Sequence, residues 1–148
     1  MPRLRRPGLG RGPQLAQDLT MARIVVIDDD EQIREMVRRV LESRGHTVED
    51  ADQGVAGIAY VAQRAPDLVV TDIFMPGQDG IEVLVELRKA FPNLKVIAMS
   101  GGNGPGLLNL LEDAELLGAD RTIPKPFTPR ELIAAVNAVL GEPPQPSP

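Results

Sequence analysis

The feature that most constrains the fold is a regular alternation of short β-branched runs with segments that have the apolar period of a helix. The first run, Arg23–Ile27, is followed by apolar residues spaced three and four apart from Ile33 to Leu41. Five such pairs of a run and a helical segment follow one another between residues 22 and 141. Because parallel strands need crossover connections, which are usually helices, this order predicts a doubly wound α/β domain with a parallel five-stranded sheet.

The same patterns predict where the elements begin and end. Strands are predicted over residues 23–27, 47–51, 68–71, 95–99 and 121–123. Helices are predicted from residue 33 to the glycine at 45, and over residues 53–64, 80–90, 107–117 and 128–140, the last capped by Thr128. Pro76 and Gly77 predict a turn, and His46, which precedes the second strand, is predicted to lie at the surface.

Composition argues against several classes of protein. The net charge of -5 disfavours a domain that binds nucleic acid through its main surface, because binding to phosphates requires clustered cations. The chain has no cysteine, so disulfides, thiolate metal sites and thiol nucleophiles are excluded. No segment has the roughly 20 apolar residues of a membrane-spanning helix, and the start lacks the apolar region of a secretory signal. We therefore expect a cytoplasmic protein.

The two ends of the chain differ in composition from the middle. Residues 1–21 are rich in arginine, proline and glycine and are predicted to form a disordered arm. Met21 could itself be the first residue of the protein, in which case the arm lies upstream of the true start. Residues 142–148 are rich in proline and are predicted to be a disordered tail. We expect residues 22–141 to form the only domain, with no output domain after it.

Polar side chains follow four of the five predicted strands, at the point where each strand ends. Asp28 and Asp29 come after the first strand, Asp72 after the third, Ser100 after the fourth and Lys125 after the fifth. In an open parallel sheet, binding sites form at the carboxyl ends of the strands. The sequence therefore predicts that these side chains converge on one edge of the sheet.

The three carboxylates indicate a metal site. Carboxylates brought close together repel one another, and a hard divalent cation with oxygen ligands, of which Mg²⁺ is the natural candidate, would hold them ionised. An aspartate can also act as a nucleophile toward phosphorus. Lys125 would add a second positive charge, and the hydroxyl of Ser100 could donate a hydrogen bond to a phosphoryl oxygen.

Each of these residues also has an explanation that needs no function. Asp28–Asp30 precede a helix and could cap its free N–H groups. Asp72 could be a turn residue, Ser100 could begin a loop, and Lys125 could be a solvated surface charge. Their joint placement at successive strand ends favours the functional interpretation.

Four motifs, in order along residues 22–141, resemble those of the receiver domains of two-component systems. They are IVVIDDD at 24–30, PDLVVTDIFMP at 66–76 with DG at 79–80, MSG at 99–101, and GAD at 118–120 leading to KPF at 125–127. The resemblance implies the CheY-like, flavodoxin-like (βα)5 fold, with strand order 2-1-3-4-5, in a single-domain response regulator.

The resemblance also implies a role for each site residue. Asp72 would be the phosphoacceptor. Asp28, Asp29 and Asp72 would bind Mg²⁺ together with the backbone carbonyl of Phe74. Lys125 and Ser100 would contact the phosphoryl group, and the peptide bond before Pro126 would be cis.

The partners implied are those of a signalling receiver rather than of an enzyme. The phosphoryl donor would be a sensor histidine kinase or a histidine phosphotransfer protein, and the phosphorylated form would act on a protein target. Only phosphorylation and dephosphorylation of the domain itself would be self-catalysed. Neither nucleic acid nor a membrane is expected to bind the core domain.

Thr122 departs from the usual receiver pattern, and the helix predicted over 107–117 has a feature that the resemblance does not explain. Thr122 stands where many receivers have a switch aromatic, so coupled rotation of an aromatic ring is not expected here. The helix predicted over 107–117 has more leucines than one buried stripe needs. Either a partner surface or core packing would account for them.

Two other functions remain as alternatives. The first is a pseudo-receiver, which keeps the fold but only docks proteins. The second is a phosphatase of the haloacid-dehalogenase type, which Asp28-Asp29-Asp30 also resembles, with Asp28 as nucleophile and Asp30 as general acid. That family needs further acidic metal ligands after the lysine, where this chain has only Glu131 and Glu142.

Overall fold

A computed structural model describes residues 21–75, 78–101, 112 and 114–141, with the backbone alone at 74, 75 and 78–80. The arm over 1–20, the tail over 142–148, the turn at Pro76 and Gly77, and most of the leucine-rich segment therefore lie outside the described residues. In chain order the elements are β1 Arg23–Ile27, α1 Glu31–Glu42, β2 Thr47–Ala51, α2 Gly54–Arg64, β3 Leu68–Asp72, β4 Phe74–Met75, β5 Gln78–Asp79, α3 Gly80–Ala90, β6 Lys95–Ser100, α4 (described at 112 and 114–116), β7 Arg121–Pro124 and α5 Pro129–Leu140.

The five long strands form one parallel sheet in the order β2-β1-β3-β6-β7. Counting only these strands, the order is 2-1-3-4-5, so the predicted doubly wound sheet is confirmed. The strand order reverses between β1 and β3, because the chain adds β2 on one side of β1 and every later strand on the other. At such a switch point the connections leave in opposite directions and open a crevice at the carboxyl ends of the strands.

Both faces of the sheet are buried. Ile24 and Val26 of β1 pack into a cluster with α1 and α5, whereas Val25 and Ile27 pack into a second cluster with α2 and α3. Because successive side chains of a strand point to opposite faces, a strand covered on both sides must be apolar at every position. Burying each such side chain contributes roughly 1.5–3 kcal/mol.

Two helices begin at side-chain caps that the sequence encodes. The Asp30 carboxylate accepts hydrogen bonds from the N–H groups of Gln32 and Ile33 at the start of α1. At the start of α5, Thr128 and Glu131 form a reciprocal capping box. These bonds satisfy backbone donors that have no partner inside the helix. Among the helices of the described part, none has the length and apolar character needed to cross a membrane.

Several predicted boundaries were wrong by a few residues. The ladder continues one residue further than predicted in three strands, so that β3 ends at Asp72, β6 at Ser100 and β7 at Pro124. The helix expected to run to Gly45 ends at Glu42, and Gly45 instead takes a positive φ of 93° in the turn before β2. Hydrogen bonds to neighbouring parallel strands continue these strands past their apolar residues. The periodic pattern of apolar residues does not predict that continuation.

Two features were not predicted. The short antiparallel pair β4–β5 flanks the predicted turn, but strands of two residues are too short to show a period of two. His46 is not at the surface, because it is only 7% exposed. Its Nδ1 accepts a hydrogen bond of 3.0 Å from the N–H of Ala22, so this side chain ties the α1–β2 turn to the start of β1.

Gly57 provides a test of how closely α2 packs on the sheet. A Cβ at this position would overlap the side chain of Ile27 in β1. We expect Gly57→Ala to lower the free energy of unfolding by roughly 1–3 kcal/mol through overpacking, although alanine is the better helix former. Chemical denaturation would measure this change. The control is Ala59→Gly at an exposed position of α2, which should cost about 1 kcal/mol from propensity alone. Stabilisation by Gly57→Ala would contradict the packing described here.

Candidate functional site

The acidic pair begins where β1 ends. Asp28 directly follows Ile27 and is fully buried, while Asp29 is exposed. The N–H of Asp28 donates to the carbonyl of Ala51 on the neighbouring strand at 3.1 Å, which continues the β1–β2 ladder by one bond. Its Oδ1 accepts a 2.9 Å bond from the N–H of Asp30. The start of α1 therefore holds the carboxylate of Asp28 in one orientation.

Asp72 is the last residue of β3 and is 2% exposed. It lies opposite Met99 in the ladder with β6, and the next N–H, that of Ile73, donates to the Met99 carbonyl at 2.9 Å. Since β1 and β3 are neighbours in the sheet, Asp72 and Asp28 emerge at the same edge. Rigid strand backbone on both sides determines where the Asp72 carboxylate lies.

Lys125 connects the two buried carboxylates. Its Nζ lies 2.7 Å from Oδ2 of Asp28 and 3.3 Å from Oδ2 of Asp72. The N–H of Lys125 donates to the Ser100 carbonyl at 2.7 Å, and the Lys125–Pro126 peptide bond is cis. The lysine side chain, 15% exposed, passes close to Gly101, where a Cβ would come within 3.3 Å of its Cδ. The end of the last strand thus directs the ammonium inward.

Burial and neighbouring charges shift the pKa values of Asp28 and Lys125 in opposite directions. Burial raises the pKa of Asp28, and the hydrogen bond from Lys125 offsets only part of this effect. Burial lowers the pKa of Lys125, but the hydrogen bonds to Asp28 and Asp72 and their negative charges together outweigh it, so the pKa of the ammonium is raised. A close cation is what a carboxylate removed from water requires in order to stay ionised.

The carboxylates of Asp28, Asp29 and Asp72 have the composition of a site for a hard cation. Each offers one oxygen, and these oxygens all lie within 4.8 Å of one another. Mg²⁺ takes oxygen ligands and is usually bound through one or two carboxylates plus waters and phosphates, so this donor set fits it. Phe74, whose backbone carbonyl was predicted as a further ligand, begins β4 two residues after Asp72.

Ser100, the last residue of β6, is fully buried. Its hydroxyl has no hydrogen-bond partner within the described residues. A buried hydroxyl without a partner costs about 1–3 kcal/mol, so such groups are uncommon in proteins. This one lies at the strand end next to that of Asp72, where a group attached to the carboxylate could accept its hydrogen bond.

The capping interpretation holds for one of the three consecutive aspartates. Asp30 caps α1, whereas Asp28 and Asp29 belong to the acidic cluster.

Thr122 stands where a switch aromatic would be usual. Its Oγ1 lies 3.5 Å from Oε2 of Glu115. The leucines of α4 are described in part, and Leu116 and Leu117 are exposed.

Sequence reasoning missed one residue beside the site. Arg34 of α1 donates a 2.8 Å hydrogen bond to the backbone carbonyl of Asp28. It sits on the polar side of a helical pattern, where an arginine is ordinarily solvated, so the pattern gave no signal for this contact.

Comparison with known proteins relates this fold and site to one family. The family model described as the response regulator receiver domain matches residues 24–137. The response regulator MprA of Mycobacterium sp. (strain KMS) is 39% identical over 118 residues, which make up 80% of this chain and 50% of MprA. The chain therefore spans about half the length of the curated relatives it matches.

Solved structures of receiver domains are similar as well. The receiver domain of NtrX from Brucella abortus superposes with a TM-score of 0.75 at 34% identity, covering 80% of this chain and 98% of that one. The chemotaxis protein CheY4 of Vibrio cholerae gives a TM-score of 0.72 at 26% identity, again over 80% of this chain and 98% of the other.

The bridge made by Lys125 can be tested through stability. Lys125→Met leaves two buried carboxylates without their cation, which should lower the free energy of unfolding by about 3 kcal/mol in the presence of EDTA. Urea denaturation would measure this change. Lys95→Met, at an exposed lysine that begins β6, is the control and should change stability by less than about 0.5 kcal/mol. Equal stability of the two variants would contradict a stabilising role for the bridge.

Proposed function

Because this chain belongs to the response regulator receiver domain family, whose members are signalling modules of two-component systems, we propose that it accepts a phosphoryl group on Asp72. The donor is a phosphohistidine on a sensor histidine kinase or on a histidine phosphotransfer protein. The product is a modified protein that signals, and turnover is limited to phosphorylation and dephosphorylation of the domain itself.

The observation that carries the proposal is the position of Lys125. Its ammonium lies within 3.3 Å of Asp72 and 2.7 Å of Asp28, so a cation already stands beside the proposed acceptor carboxylate. The Asp72 carboxylate is a nucleophile, and the charge that develops on a transferring phosphoryl group needs nearby cations. Asp72 has that environment in the structure.

The transfer can be written in terms of the bonds that change. An oxygen of Asp72 forms a bond to phosphorus, the P–N bond to the donor histidine breaks, and the imidazole leaves with that electron pair. Asp28, Asp29 and Asp72, with the backbone carbonyl of Phe74, would hold Mg²⁺, which when bound supplies positive charge to the phosphoryl oxygens.

Two side chains would then hold the phosphoryl group. Lys125 would move its hydrogen bond from the Asp72 carboxylate to a phosphoryl oxygen, which keeps the ammonium paired. The Ser100 hydroxyl would donate to another oxygen and so satisfy a group that has no partner within the described residues. A hydrogen bond gained only after phosphorylation favours one arrangement of the end of β6, and a change of this kind is how a modification switches partner binding. The downstream partner is proposed to be a protein.

The alternative phosphatase mechanism is disfavoured by two contacts. Asp30, its general acid, caps α1 through the N–H groups of Gln32 and Ile33. Asp28, its nucleophile, has its Oδ1 held by the N–H of Asp30 in the turn before α1. A pseudo-receiver is the remaining alternative, and a phosphorylation assay distinguishes it.

We expect the unmodified chain to gain a single, labile phosphoryl group when it is incubated with acetyl phosphate and Mg²⁺. Asp72→Asn should abolish this gain, because an amide is not a nucleophile toward phosphorus. Intact-mass spectrometry measures the gain directly. Asp28→Asn is the comparison, and it should slow the reaction without removing the acceptor.

Each other pattern points elsewhere. Loss of the gain in Asp28→Asn, with Asp72→Asn still modified, would indicate the phosphatase-type nucleophile. No gain in any form, even with phosphorylated histidine donors supplied, would leave the pseudo-receiver.

Ser100→Ala tests the role of the buried hydroxyl. Removing a hydroxyl that has no partner in the described part of the chain should leave the free energy of unfolding unchanged or raise it by about 1 kcal/mol. We expect phosphorylation to raise the melting temperature of the unmodified chain, and this rise should be smaller in Ser100→Ala, because the alanine cannot donate a hydrogen bond to the phosphoryl group. The control is Thr71→Val, which removes a buried hydroxyl that donates to the Asp72 carbonyl at 3.2 Å and should cost about 1 kcal/mol. If Ser100→Ala costs as much as Thr71→Val before phosphorylation, the hydroxyl serves the resting structure instead.

A further inference from the structure

Arg34 joins three elements of the fold next to the acidic cluster. It is the fourth residue of α1, and its guanidinium donates from Nη1 to the backbone carbonyl of Asp28 at 2.8 Å. The Nε of the same group donates to Oδ2 of Asp50, on the edge strand β2, at 3.2 Å. The side chain is only 17% exposed, so these bonds are shielded from water and from salt far more than a surface ion pair would be.

The contact matters because it completes the attachment of Asp28. The N–H of this residue is bonded to Ala51, its Oδ1 to the N–H of Asp30 and its Oδ2 to Lys125. The backbone carbonyl is its fourth polar group, and Arg34 is the donor to it. That carbonyl belongs to the peptide unit that joins Asp28 to Asp29, so its direction sets how the exposed carboxylate of Asp29 is presented.

A guanidinium suits this bridge better than an ammonium would. Its N–H donors lie in one plane at defined angles, so one group can bond a carboxylate and a carbonyl in different elements at the same time. A lysine keeps the charge but has a single nitrogen on a flexible stem. The bridge to β2 therefore depends on the geometry of the arginine side chain and not on its charge alone.

We infer that Arg34 is a positioning residue for the metal site: it holds the Asp28–Asp29 peptide against Asp50 of β2 and so orients the acidic pair for a divalent cation. This inference rests on the function proposed above. Groups that orient metal ligands typically change metal affinity by 10- to 100-fold when they are removed. The two bonds of Arg34 described above go to the carboxylate of Asp50 and to the backbone carbonyl of Asp28.

Arg38 provides a matched control on the same helix. One turn after Arg34, it pairs with the same carboxylate, Asp50, at 3.4 Å and donates to the backbone carbonyl of Val48 at 2.8 Å. It thus attaches α1 to β2 as Arg34 does. Within the part of the chain that the structure describes, the hydrogen bonds and ion pairs of Arg38 go to Asp50, Val48 and Glu42 and not to the Asp28–Asp29 segment.

The experiment compares Arg34→Met, Arg34→Lys and Arg38→Met with the unmodified chain. Isothermal titration calorimetry measures the affinity for Mg²⁺, and ¹H–¹⁵N spectra in EDTA report the Asp29 and Asp30 amides without metal. We expect Arg34→Met to weaken Mg²⁺ binding about 10-fold and to shift those amides. Arg38→Met should leave both unchanged, although it too removes bonds between α1 and β2. Arg34→Lys should recover little of the lost affinity. A lysine preserves the charge, but it cannot bond the Asp50 carboxylate and the Asp28 carbonyl at the same time with the geometry of the guanidinium.

Three results would overturn the inference. These are Mg²⁺ binding by Arg34→Met as tight as that of the unmodified chain, an equal loss of affinity in Arg38→Met, or full recovery in Arg34→Lys. The last of these would mean that charge alone acts. Failure of the proposed function has a different signature: the unmodified chain would bind no Mg²⁺, and Asp72 would accept no phosphoryl group.

Discussion

The contact on which the site depends is the pair of hydrogen bonds from Lys125 to Asp28 and Asp72. Removing two carboxylates from water costs several kcal/mol for each ion unless a counter-charge and hydrogen bonds offset it. The ammonium supplies that charge at 2.7 and 3.3 Å. It also connects the end of β7, an edge strand of the sheet, with residues at the ends of β1 and β3. The same contact that stabilises the buried acids therefore places a cation at the proposed point of phosphoryl transfer.

The rest of the fold holds this arrangement in place. Apolar clusters on both faces keep β1 and β3 side by side, and Asp28 and Asp72 leave the sheet from the ends of those strands. Sites built on strands are positioned more accurately than sites on loops. Asp29 is the exposed member of the cluster. The hydrogen bond from Arg34 to the backbone carbonyl of Asp28 holds the backbone directly before Asp29 in place. A rigid frame and one accessible carboxylate suit the proposed site, which would admit both a metal ion and a phosphoryl donor.

Much of the fold followed from local patterns. The β-branched runs located the inner strands β1, β3 and β6, because a strand covered on both faces must be apolar along its length. The edge strand β2 was also located, although it carries Glu49 and Asp50 and is only partly buried. Thr128 was correctly predicted as a cap, since capping needs only neighbours in the sequence. Predictions failed where distant residues decide the outcome. His46 is buried because its ring accepts a hydrogen bond from Ala22, and the β4–β5 pair is too short to show a periodic pattern.

The sequence by itself determined the order and type of the elements and which polar residues stand at the ends of the strands, because apolar period and chain order are local properties. Only the tertiary structure decided how those residues meet. Lys125 is 97 positions from Asp28 in the chain, and the pairing of their charged atoms exists only because the sheet brings β1, β3, β6 and β7 together. Likewise, nothing in the sequence distinguishes Arg34 from a solvated arginine until α1 packs beside β2. Distance in space depends on strand order and helix packing, and these are settled by the whole fold.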